Sequence, residues 1–137
     1  MVAITVPFHF WGPLLLTRAV GGGGARLRAH EHHGSAALVT LLGVFGVFAL
    51  HTVEIWLYAL LYRVLGEARS FADALYFSTT MFASLGLGDI VLSPRWRLIS
   101  SIEAANGVIL FAWSTAFLIT LTRRLRLFDH GWLERGE

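Results

Sequence analysis

Cysteine and lysine are both absent from the 137-residue chain. Without thiols there is no disulfide and no thiolate metal centre. Every basic residue is an arginine, and these are scattered, so the net charge of +2 makes no basic face for nucleic acid. Charge of either sign is scarce at 15%, against 55% hydrophobic residues and a mean hydropathy of +0.63. A soluble domain of this length needs a more polar surface. The composition predicts an integral membrane protein with room for two or three spans. No nucleophile–base motif is visible, so an enzyme is the weakest reading.

Two long apolar runs are present, from Ala36 to Tyr62 and from Leu98 to Thr122. The first carries His51 and Glu54 beyond an uncharged stretch, and the second carries Glu103. Ionisable groups at such depth are costly in lipid and face protein. His51 and Glu54 are three residues apart and share a helix face. Two readings of His51, Glu54 and Glu103 stand side by side. One is a hydrogen-bonded brace between the spans and the segment between them, using Thr79 or Thr80. The other is a proton- or metal-sensitive cluster.

Between the runs, Ser70 and Asp73 have the spacing of a helix cap. The helix they predict, from Phe71 to about Phe82, is too short to cross a bilayer and must be re-entrant. Ser84-Leu85-Gly86-Leu87-Gly88-Asp89 follows, with glycines too close together for a helix. Irregular backbone at membrane depth lines a cavity. The dipole of a half-helix entering from outside puts partial negative charge near mid-membrane, which favours a cation. Glycine-bearing backbone can turn successive carbonyls to one side, and rings of carbonyls replace a cation's hydration shell. One copy cannot encircle an ion, so this reading requires a symmetric oligomer.

The segment before the first run is more ambiguous. Val2, Ile4, Val6, Phe8 and Phe10 alternate with Ala3, Thr5, Pro7 and His9, which predicts an extended piece, with an interfacial helix from about Pro13 as the competitor. Gly21–Gly24 read as a flexible hinge. His30, His32 and His33 form a solvated interfacial segment or a metal- or proton-sensitive ring. Arginines flanking both runs place both ends in the cytoplasm by the positive-inside rule.

From Ala74 to about Thr120 the sequence resembles the pore module of two-transmembrane potassium channels, and the looser likeness covers residues 50–121. Ala74-Leu75-Tyr76-Phe77-Ser78 resembles the pore helix, and Ser84 to Asp89 resembles the filter Thr-Val-Gly-Tyr-Gly-Asp. Gly107 falls at a distance from the filter similar to that of the family's hinge glycine. The resemblance implies an all-α membrane protein in three parts. They are an N-terminal cytoplasmic or interfacial segment (1–34), a pore domain (35–127) and a cytoplasmic tail (128–137). The pore domain has an outer helix (36–62), a pore helix (71–82), a filter (84–88) and an inner helix (98–122), assembled as a homotetramer in the lipid of the cell membrane.

The resemblance further implies passive K+ conduction through carbonyls of Ser84, Leu85, Gly86 and Leu87, with Gly88 completing the filter and no cofactor beyond the permeant ion. Asp89 is expected as an acidic ring at the outer mouth, or in a salt bridge to Arg95 or Arg97. Asn106 is expected to face the cavity, and Gly107 to act as a hinge or a close-packing residue. Ser84 in place of Thr and Leu87 in place of Tyr predict weaker discrimination of K+ from Na+. A non-conducting accessory or sensor protein is the alternative. A proton-coupled transporter ranks lower, since no inverted repeat is visible.

Overall fold

The computed structural model describes residues 1–21 and 33–125. Among these, four helices and no strands are present: α1 (Val2–Gly21), α2 (His33–Val64), α3 (Phe71–Phe82) and α4 (Arg97–Arg124). Within them Ala37–Val64 and Arg97–Arg124 are long and apolar enough to cross a membrane. The short α3 lies between them in sequence and packs against both.

The start of α3 is fixed by its cap. Ser70 Oγ accepts the Asp73 N–H at 3.0 Å, and Asp73 Oδ2 accepts the Ser70 N–H at 3.1 Å. This reciprocal pair satisfies two of the donors that a helix start leaves free. The far end stops at Ala83, whose N–H still reaches Thr79. Ser84 then enters the left-handed region, which ends the helix.

In lipid, apolar surface gains little by leaving an apolar solvent, so helices associate through close packing and polar contacts. The chain follows this logic. Phe45 and Phe48 point outward from α2, while His51, Glu54, Glu103, Asn106 and Ser114 are buried. The apolar core gathers where α3 meets both long helices, around Tyr58, Tyr62, Phe77, Phe82 and Leu110.

The N-terminal segment corrects the extended reading of residues 1–17. It is helical from Val2 to Gly21, with Pro7 and Pro13 inside, and it packs along α2 and α4. Pro7 and Pro13 each remove one backbone donor, a loss the helix tolerates. The alternation misled because the apolar members are outside. Ile4, Phe8, Phe10, Trp11 and Leu15 are exposed, while Thr5, His9 and Pro13 form the buried stripe at a spacing of four. The stripe continues through Gly12, which lies against Leu50, and Leu16, which lies against Gly46.

Candidate functional site

Three polar centres occupy the interior, and sequence reasoning grouped them differently. The first joins His51 and Glu54, but its third member is His9 of α1 rather than Glu103. Glu54 lies between the two imidazoles, with Oε1 2.8 Å from His9 Nδ1 and Oε2 2.9 Å from His51 Nδ1. On the opposite side, Ser114 Oγ of α4 is 3.2 Å from His9 Nε2 and 3.0 Å from His51 Nε2. Four groups from three helices thus close a ring of four hydrogen bonds. Aromatic rings enclose it: Phe111 and Phe82 lie 4.6 and 5.7 Å from the His51 ring, and Trp113 lies 5.8 Å from that of His9. His9 is hidden in the sequence because the alternation around it points to an extended segment. The signal that finds it is the Thr5–His9–Gly12–Leu16 spacing, which puts a histidine on the inward face of a helix.

The second centre is Glu103. It accepts a hydrogen bond from the Tyr62 hydroxyl through Oε2, while its Oε1 lies 2.5 Å from Ser78 Oγ. Ser78 Oγ is also 2.9 Å from the Ile55 carbonyl oxygen. That hydroxyl has one hydrogen for two acceptors, so a protonated Glu103 completes the count. The centre ties α2, α3 and α4 together at the level of α3. Thr79 and Thr80 take no part, since their hydroxyls donate to carbonyls of their own helix, Leu75 and Phe77. Glu103 therefore braces α3, and it stands apart from the His51–Glu54 pair.

The third centre is Asn106. Its side chain is buried, and Nδ2 donates to Thr5 Oγ1 at 2.9 Å. In the single chain it faces α1, not an open cavity. The fully buried Tyr58 hydroxyl lies beside this pair without a bond of normal length. Gly107 is held against the end of α3, where an added Cβ would lie 2.1 Å from the Phe82 carbonyl oxygen. Here glycine is required for close approach.

The segment after α3 has unusual backbone. Ser84, Gly86 and Gly88 have φ of 57°, 55° and 79°, while Leu85 and Leu87 between them do not have positive φ. This alternation departs from both helix and strand and turns successive peptide planes relative to one another. Ser84, the one non-glycine residue at positive φ among those described, is steadied by donation from its hydroxyl to the Ala104 carbonyl at 3.3 Å. From Ala83 to Asp89 every residue is exposed in the single chain, including Leu85 at 62% and Leu87 at 59%.

Two carboxylates organise the chain around the segment between the loop and α4. Asp89 makes no ion pair with Arg95 or Arg97 among the described residues; it accepts the Ile90 N–H at 3.1 Å. Arg95 instead stacks on Trp96, 5.0 Å from the ring centroid. Glu67 clamps the turn before α4, accepting from the Ser93 N–H and from the Ser93 hydroxyl, each at 2.7 Å. The Ser93 N–H, followed by the Ser93 hydroxyl, holds the Glu67 carboxyl below its ordinary value. His30 and His32 lie outside the described residues, so the structure gives no geometry for that trio.

Two helices of membrane-spanning length around a capped half-helix, followed by a loop of alternating backbone hand, define a membrane pore module. Comparison with known families agrees: the ion channel family matches residues 50–124, from within α2 to the end of α4. The chain belongs to that family. No curated protein and no solved structure matches it.

Proposed function

We propose that this chain is one subunit of a homotetrameric, passive cation channel of the potassium-channel type in the cell membrane, with both ends of the module on the cytoplasmic side. The observation that carries the reading is the alternation of φ at Ser84, Gly86 and Gly88 in a loop left uncovered by its own chain. Around a fourfold axis such loops bring carbonyl rings of Ser84, Leu85, Gly86 and Leu87 to an ion, with Gly88 closing the outer end. The exposed Leu85 and Leu87 side chains then turn away from the axis and are covered by neighbouring subunits. Ser84 Oγ, while donating to Ala104, keeps a lone pair for an ion at the inner end. The C-terminus of α3 adds its partial negative charge behind the filter. Asp89 sits at the outer mouth and concentrates cations there.

The Leu at position 87 leaves the filter without a phenol to tie it outward, so we assign the channel weaker discrimination of K+ from Na+ than a Tyr filter gives. Protein reconstituted into liposomes tests both statements. Flux of K+ that barium blocks is expected, and a shift of the reversal potential toward that of K+ in Leu87→Tyr. An unchanged ratio in Leu87→Tyr removes the selectivity argument. No flux of either ion, from protein shown to be assembled, would replace the channel by a non-conducting accessory or sensor protein.

A further inference from the structure

We propose that His9, His51 and Glu54 form a binding site for a divalent transition-metal ion, zinc being the best fit, and that the ion fastens α1 to the pore module. The donor atoms of these three residues all lie within 4.8 Å of one another, and all three side chains are buried. Two imidazoles and one carboxylate are a donor set that zinc favours, with bonds near 2.0–2.2 Å. A tetrahedral ion with such bonds holds its ligands roughly 3.4 Å apart. An ion opens the 2.8 and 2.9 Å His–Glu contacts to about that value, a small movement within a ring already pointed at one carboxylate.

The outer contacts support ligation through Nδ1. Metal-bound histidines present their other ring N–H to an acceptor that fixes tautomer and orientation. Both Nε2 atoms here converge on a single hydroxyl oxygen, Ser114 Oγ, at 3.2 and 3.0 Å. With the ion bound, both imidazoles are neutral, both Nε2–H groups donate to the two lone pairs of Ser114, and Nδ1 is free to coordinate. Without it, the same ring closes its four hydrogen bonds with one hydrogen in each contact, those between Glu54 and the two rings included. The ion takes the place of the hydrogens between Glu54 and the rings. Three protein ligands leave a fourth position for water. Because His9 comes from α1 and the other ligands from α2, occupancy links the N-terminal helix to the helix that packs against α3.

The experiment uses the full chain with His30, His32 and His33 replaced by Ala, so that ions bound by that trio are not counted. Chelator-stripped protein is titrated with Zn2+ and with Co2+. The expected results are one tightly held ion per chain by elemental analysis, the strong visible absorption of tetrahedral Co2+, and a rise in melting temperature with Zn2+. Ser114→Ala should weaken the site about 10–100-fold. His9→Ala should abolish it. Should that variant fail to fold, His9→Cys serves instead: a cysteine at position 9 keeps a zinc ligand and adds a thiolate-to-Co2+ charge-transfer band. Wild-type histidines that give no Co2+ spectrum, or an ion retained at full affinity in His9→Ala, would overturn the proposal.

Discussion

Replacing Gly107 by alanine puts the packing of α4 on α3 to a direct test. The added Cβ would stand 2.1 Å from the Phe82 carbonyl oxygen, 2.9 Å from its carbon and 3.2 Å from its Cα. Ordinary van der Waals contact begins near 3.4 Å, so the end of α3 and the body of α4 must part by about 1.3 Å. Overpacking costs about 1–3 kcal/mol. The upper part of that range applies, because the obstacle is backbone that cannot rotate aside. Gly46→Ala is the internal control. Its Cβ would also meet atoms closer than 3 Å, but these are the terminal methyls of Leu16, which can turn away. Both variants would be unfolded thermally in detergent and assayed for ion flux in liposomes. Gly107→Ala should lose several degrees of melting temperature more than Gly46→Ala. It should also disturb conduction, since Phe82 is two residues from Ser84. Equal stability of the two variants would refute the close-approach argument. Normal stability with altered opening would give Gly107 the role of a hinge.

Three further outcomes follow from the polar centres. Glu103→Ala strands the buried Tyr62 hydroxyl, at about 1–3 kcal/mol, and leaves Ser78 with the Ile55 carbonyl alone. Glu103→Gln, which can donate to Ser78 and accept from Tyr62, should behave nearly as wild type in thermal unfolding; equal damage from both variants would argue against a protonated Glu103. Thr5→Val leaves Asn106 without its acceptor and should destabilise α1 docking by about 1–3 kcal/mol, while Thr5→Ser should restore it, both read by protection of α1 from proteolysis. Glu67 is held below the ordinary value of 4.5, so its hold on Ser93 contributes stability above that value and is lost as the pH falls through the lowered one. NMR of the labelled carboxyl should show a midpoint under 4.5, and Glu67→Gln should speed amide exchange at Ser93.

How much of this was readable in the residues depends on where each signal lies. The two long helices are written in apolar length, and α3 is written in its cap, because Ser70 and Asp73 act on backbone within one turn. Both are local properties. The re-entrant loop is legible for the same reason: Gly86 and Gly88 restrict what their own backbone can do. The interior pairings are not local. Glu54 finds His9 from 45 positions away, and Glu103 finds Ser78 from 25 positions away, so helix-face arguments placed His51 beside Glu54 and could go no further. The N-terminal segment failed differently. Its alternation points to an extended piece, whereas in lipid a helix turns the polar stripe of Thr5 and His9 inward.

That inward stripe also sets an order of events during synthesis. α1 leaves the ribosome ahead of every helix it docks with. Asn106, the partner of Thr5, is separated from it by 101 positions, and Ser114 lies 105 beyond His9. Until those residues have been made, His9 has only Glu54 of α2 as a polar partner and the Thr5 hydroxyl only carbonyls of its own helix. α1 is thus made before α4 but completes its seating only after it.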